Sequence, residues 1–315
     1  MFLAKSAEIL KKNGITCQIF QNSFLADNSA KGIRKYFLSN TKILFIDSFP
    51  ERDNPKKRVF EGVKMSVCIL LLKKEKLNNY TINVNFHKDR TLNNFNNVLY
   101  SKEEIIKLNA ESQVIPSLLE VEKKVFINYY NHTYKYSHFF DCIEGELNMT
   151  FHKSYMNSNS ENPMIIKGAQ VQRYYVTDTP SQGKIEYVDA TRYMEDYPRS
   201  KKILHHKERR IALQGITGAN DSIRIVSTLM EENLFCANSC NYIISKPENT
   251  KISLDILLGI FNSKLTNWIF RKTSTNSNVN CYEINNLILP DCKFHFILPP
   301  VSLQAFHFFE SQTSM

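Results

Sequence analysis

No uninterrupted apolar run in these 315 residues approaches the ~18–20 residues that a membrane-crossing helix requires. The first residues, MFLAKSAEILKKNG, also lack the charge-then-apolar order of a signal peptide. The expectation is a cytoplasmic protein. The seven cysteines are odd in number and contain no Cys-x-x-Cys pair, so the spacing of Cys236 and Cys240 is a poor zinc signature and reduced thiols are expected. Neither a P-loop, a His-Glu-x-x-His stretch nor a Ser-His-Asp order is present to support an intact enzyme of unrelated chemistry. Internal repeats and strict low-complexity tracts are missing too. What is present is 43% hydrophobic content, enough to bury one large core or two modest ones. Lys+Arg of 40 against Asp+Glu of 31 gives a net charge of +9, which favours a polyanionic partner, with nucleic acid foremost.

Along the chain, LAKSAEILKKNG (3–14) places Leu3, Ala7 and Leu10 on one helical face and ends at Asn13-Gly14. ITCQIF (15–20) reads as a buried strand, and NSAKGIRKYFLSN (28–40) as a helix with Ile33, Tyr36 and Phe37 inward and Asn28 or Ser29 as N-cap. TKILFIDSF (41–49) and KMSVCILLLKK (64–74) have the continuous apolar character of strands covered on both faces. Helix, strand, helix, strand, strand is the pattern of the second half of an α/β sheet. Its first strand would present an unpaired edge, so the expectation is a fragment, or a sheet completed by another polypeptide. Residues 76–115 are polar and Asn-rich and are expected to bridge this unit to a second one. Within them TINVNF alternates as one strand, and Ser101 with Glu104 forms a capping box that begins a short helix.

Two stretches carry candidate nucleic-acid chemistry. RSKKILHHKERR concentrates Lys201, Lys202, Lys207, Arg209 and Arg210 around His205 and His206, and clustered cations neutralise phosphates and release counterions. A solvated charge run is the equal alternative. KGAQVQRYYV (167–176) offers Lys167, Gln170, Gln172 and Arg173, and as a strand would put Gln170, Gln172 and Tyr174 on one face; Gln214 and Thr217 flank the turn GITGAN. An exposed sheet face is the plainer reading of these residues. In LLGIFNSKLTNWIFRKTSTNSN, residues Leu257, Leu258, Phe261, Leu265 and Trp268 form one helical face built for a core. Arg271, Lys272 and a polar loop then lie at the helix end, where they could follow a groove.

The runs LAKSAEILKKNGITCQIF, SFLADNSAKGIRKYFL, ILFIDSF and VFEGV resemble, in that order, the segment following the catalytic motif in TaqI-like N6-adenine DNA methyltransferases. GELNMTFHKSY with KGAQVQRYYV resembles the start of the specificity domain of these enzymes. The stretch from ERRIALQG to CNYIIS resembles its middle, and LDILLGIFNSKLTNWIFRK its closing helix. The resemblance implies an α/β fold: the C-terminal portion of a doubly wound methyltransferase sheet (1–75), a connecting region (76–120) and a mixed α+β DNA target-recognition domain (121–315). It implies double-stranded DNA as partner, S-adenosyl-L-methionine as cofactor of the complete enzyme, and a separate catalytic half as a second partner.

The chain departs from the family where chemistry is done. Neither an Asn-Pro-Pro-aromatic tetrapeptide nor a Gly-containing cofactor turn occurs, and Asn54-Pro55 and Asn162-Pro163 lack the second proline and the aromatic. No catalytic, cofactor-binding or metal-ligating residue is therefore assigned, and the chain alone is expected to transfer nothing. Phe24, Tyr36 and Phe37 could pack against an extruded base; their core reading is the favoured one. The other function considered is a noncatalytic DNA-binding specificity module or subunit.

Overall fold

The computed structural model describes residues 2–131, 133–218, 221–249 and 251–290. The chain opens with α1 (Phe2–Ile9), β1 (Ile15–Gln21), α2 (Lys31–Asn40), β2 (Lys42–Phe49), β3 (Val67–Lys73), β4 (Thr81–His87) and β5 (Phe95–Ser101). The five strands form one sheet in the order β1-β3-β2-β4-β5, with β2 and β4 parallel and the other neighbours antiparallel. The segment expected to be a connector therefore supplies two strands, and the expected boundary at residue 75 falls inside a sheet. Hydropathy located TINVNF, but strand partnership is a property of spatial neighbours.

One face of this sheet is sealed. Ile43, Ile46, Cys68, Leu70, Leu72, Ile82, Val84, Val98 and Tyr100 are buried in the main core with Ala7, Phe24, Phe37 and Leu38. Phe24 and Phe37, 3% and 1% exposed, are thus core residues, as favoured from the sequence. The alternating side chains point the other way. On β1 that face is open: Ile15 is 57% and Ile19 48% exposed, and the strand alternates exposed and half-buried along its length. The reading of β1 as a buried strand is corrected. Among the described residues it pairs with β3 alone, so its second edge is unpartnered. Open apolar edges template association. Ile19→Lys is expected to reduce concentration-dependent aggregation while leaving the melting temperature close to that of the parent, as followed by light scattering and thermal unfolding.

Next come α3 (Lys102–Leu108) and α4 (Glu120–Asn131). The capping box at Ser101 and Glu104 forms as the sequence indicates, with Ser101 Oγ accepting from the Glu104 amide at 3.0 Å and Glu104 Oε2 from the Ser101 amide at 2.7 Å. The remainder contains β6 (Thr133–Lys135), β7 (Phe140–Glu144), β8 (Met156–Asn157), β9 (Met164–Ile166), β10 (Glu186–Val188), α5 (Ala190–Asp196), α6 (Lys201–Leu204), β11 (Arg210–Gln214), β12 (Ser227–Met230), β13 (Phe235–Cys236), β14 (Cys240–Ser245), α7 (Leu254–Phe261), α8 (Lys264–Thr273), α9 (Cys281–Asn285) and β15 (Ile288–Pro290). An antiparallel sheet β12-β11-β14-β7 is its centre, with a smaller sheet β13-β9-β10-β8 beside it and a β15-β6 ribbon. The main core is continuous from Ala7 to Leu289, so both sheets share it.

The helix read as one element over 254–272 is two. Asn262 leaves the helix and holds Ser227, accepting from its amide at 3.3 Å and donating to its carbonyl at 2.9 Å, and Ser263 caps α8 by accepting from the Thr266 amide. The break shifts the apolar face: Leu257, Leu258 and Phe261 are buried, whereas Leu265 is 45% exposed. Trp268 packs edge-on against Phe126 and donates to Glu122 Oε1 at 3.2 Å, which makes it a core-edge residue. Among the described residues no helix is long and apolar enough to cross a membrane.

Candidate nucleic-acid interface

The basic run divides in two. Lys201 and Lys207 are exposed, while Lys202 donates to the Gly145 carbonyl at 2.7 Å. His206 is buried and stacked on Phe235 with centroids 4.4 Å apart, and His205 Nδ1 lies 2.9 Å from the Tyr242 hydroxyl. Burial lowers the His205 pKa. Arg209 holds Asp255 through two contacts of 3.1 Å. Arg210, first residue of the central strand β11, is fully buried in an ion pair with Glu146 and lies over the Tyr242 ring. Charge density in the sequence thus becomes, in part, interior architecture.

KGAQVQRYYV is not the alternating strand expected from its pattern. Gly168–Gln170 is a 3₁₀ turn, and a Cβ at Gly168 would lie 2.3 Å from the Ser239 carbonyl oxygen, so the backbone approaches too closely for a side chain. Gln170 is completely buried, and Lys167 is paired with Glu186 at 2.6 Å. Val171 and Val176 then form a bridge around a turn that presents Arg173, Tyr174 (47% exposed) and Tyr175 (60% exposed), with Gln172 half-buried. Tyr174 has φ 75°, and Arg173 lies over its ring while donating to the Asn262 carbonyl at 2.6 Å. Gln214 donates to the Val171 carbonyl at 2.7 Å, and the Thr217 hydroxyl accepts from Arg224 Nε at 2.8 Å. At the end of α8, Lys272 is paired with Glu122 at 2.7 Å, and Arg271 is exposed with a 3.3 Å contact to the Ser222 carbonyl.

The structure gathers three loops that lie far apart in sequence. The β2–β3 loop (50–66) carries exposed Lys56, Lys57 and Lys64, together with Phe60 (44% exposed) and Val63 (47% exposed). Arg52 of this loop reaches Ser277 Oγ at 3.5 Å, which ties it to the polar loop after α8. That loop is in turn fastened to the turn after β11: the Thr217 amide donates to the Ser277 carbonyl and the Val279 amide to the Gly215 carbonyl, each at 2.9 Å. Beside these loops lies an open cleft of about 450 Å³, whose lining includes Glu144, Ile216, Asn238, Asn241, Asn278 and Asn280. Ile216 is 63% exposed at its edge. Cys142 and Cys281 also line it; the hydrogen bond with Cys142 lowers the Cys281 thiol, whereas burial pushes Cys142 up, and burial raises Tyr282 to about 12. Exposed lysines suit phosphates, and amide side chains on fixed backbone suit base edges.

Sequence reasoning missed both the β2–β3 loop and the asparagine cleft. The Pro-Lys-Lys-Arg run at 55–58 was visible, and its partner loop more than two hundred residues away was not.

Residues 163–289 match the TaqI-like C-terminal specificity domain, and residues 1–55 match the Eco57I restriction-modification methylase. No curated protein matches the sequence. Among solved structures the chain is similar to the type IIL restriction-modification enzyme MmeI in complex with DNA, at 10% identity and a TM-score of 0.52 over 90% of this chain and 40% of that one. The type IIG restriction endonuclease BpuSI aligns at 11% identity and a TM-score of 0.36 over 92% of this chain and 42% of its own. The type ISP restriction-modification enzyme LlaBIII bound to DNA aligns at 10% identity and a TM-score of 0.44, over 89% of this chain and 25% of its own. The chain therefore spans less than half the length of these enzymes. Two family likenesses thus meet in one chain, to the TaqI-like C-terminal specificity domain over residues 163–289 and to the Eco57I restriction-modification methylase over residues 1–55.

Proposed function

We propose that this chain binds duplex DNA sequence-selectively, as the recognition part of an adenine-N6 methyltransferase of a restriction-modification system, with residues 121–315 as the recognition unit. The observation that carries this reading is the meeting of a lysine-bearing loop with an asparagine-lined cleft, at the edge of the region matched to a specificity domain. Lys56, Lys57, Lys201 and Lys207, with Arg173 and Arg271, are among the exposed cations and could serve phosphates. Each phosphate contact removed lowers the log–log salt slope by about 0.9.

Methyl transfer is assigned to a catalytic half that binds S-adenosyl-L-methionine, because the sequence holds neither the family's cofactor turn nor its catalytic tetrapeptide. The unpartnered edge of β1 and the open face bearing Ile15 and Ile19 support docking of that half against this sheet. The test is selection from a randomised duplex pool by the full chain across salt concentrations. Enrichment of one short site, with weaker binding at higher salt, is the expected result; a steep salt dependence with no enriched site leaves only a basic surface. Methyl incorporation by the purified chain given donor and duplex alone would overturn the division of labour.

A further inference from the structure

Two asparagines of the cleft differ from the rest. Asn241 is buried and donates to the Val279 carbonyl at 2.5 Å, and Asn280 closes a capping box with Glu283, so both are structural. Asn278 is exposed, and its side-chain amide has no partner among the described residues. Its backbone is nonetheless fixed. The Asn278 amide donates to Asn276 Oδ1 at 2.9 Å, Asn278 forms a bridge with Ile216, and both neighbours, Ser277 and Val279, are hydrogen-bonded to the turn after β11. Also lining the cleft, Asn238 is exposed and accepts from the Met149 amide at 3.3 Å, which uses its oxygen and leaves its NH2 group without a partner among the described residues.

A carboxamide with both ends free on immobile backbone is what bidentate reading of adenine requires, since adenine presents N7 as acceptor and N6 as donor on its major-groove edge. Free ends without fixed backbone would impose no geometry, and ordering a loop on binding would cost affinity. Here the ordering is already present in the free chain. The adjoining β2–β3 loop, tied to Ser277 by Arg52, sets Lys56 and Lys57 on a segment beside the reader, as phosphate contacts should be to fix its register.

We propose that Asn278 is a specificity-determining residue that reads one adenine of the target duplex bidentately, with Asn238 supplying a single donor to a neighbouring base-edge acceptor. The assignment rests on the reading of this chain as a DNA-recognition part. Because Asn278 is exposed and its amide unpartnered, N278A should keep the parent's melting temperature, and N278D retains the shape of the side chain should alanine disturb the loop.

The experiment compares the 315-residue chain with N278A, N278D and K57A in selection from a randomised duplex pool, followed by titration of the enriched site and an unrelated duplex. N278A is expected to bind the enriched site about tenfold more weakly, to lose preference at one A·T position and to keep its affinity for the unrelated duplex and its salt slope. N278D should exchange adenine for cytosine at that position, since a carboxylate accepts from cytosine N4. K57A should weaken both duplexes alike. An enriched site without an A·T position, or variants at 278 that select the parent's site with the parent's affinity, would overturn the assignment and leave DNA recognition standing. A parent chain that enriches no site overturns both.

Discussion

Arg210→Ala is expected to destabilise the chain by about 3–5 kcal/mol, the usual consequence of removing one partner from a buried ion pair. Both side chains of the Arg210–Glu146 pair are wholly inaccessible. Alanine would leave the Glu146 carboxylate charged in the interior, held among the described residues by one remaining hydrogen bond, from the Cys236 amide at 2.8 Å. It would also empty the space over Tyr242 and release the Leu234 carbonyl, which accepts from Arg210 at 2.5 Å. Denaturant titration of the variant measures the loss. A double replacement, Arg210→Met with Glu146→Leu, removes both charges and is expected to recover much of the stability. Arg210 lies in the most basic stretch of the sequence, and a mutant that lost only DNA affinity while keeping full stability would show that the buried pair is not what holds β11 in place.

Arg34→Ala is expected to cost about 3 kcal/mol, as three hydrogen bonds from a charged donor are lost and buried acceptors are orphaned. The Arg34 guanidinium is fully buried on α2. Its Nε donates to the Ser112 carbonyl at 2.9 Å, and NH1 to the carbonyls of Phe24 and Asp27, each at 2.8 Å. One side chain thus joins the turn after β1 to the segment that follows α3. Burial lowers its pKa to about 10, opposed by Asp27 and Tyr282, and the group remains a cation at neutral pH. Lysine should not rescue it, because a compact ammonium lacks the planar fork that reaches three carbonyls. Thermal unfolding of R34A and R34K checks this, and a lysine variant as stable as the parent would refute the geometric argument.

How far the residues announced this fold depends on the range of the interaction concerned. The capping box at Ser101 and Glu104 spans three residues and was legible, as was the apolar face of α7. The apolar composition of β1 is plain in the sequence and its environment is not, because burial of a strand is set by what lies on either side of it. KGAQVQRYYV failed as a strand where Gly168 meets Ser239, a contact made seventy-one residues away. Asn262 looked like the middle of one helix until Ser227 claimed its amide.

The sequence by itself determined the apolar segments, the basic balance, the family resemblance and the lack of a catalytic tetrapeptide, all properties of residue identity and short-range order. Tertiary structure alone decided which cations are free. Arg210 meets Glu146 across 64 residues, and Lys272 meets Glu122 across 150, whereas exposed Lys57 joins no ion pair among the described residues and feels only the longer-range field of Asp89. It also placed the loop of Arg52 beside Ser277 across 225 residues, because a charge or an amide acts on its spatial neighbours, and those are chosen by the packing of two sheets around one core.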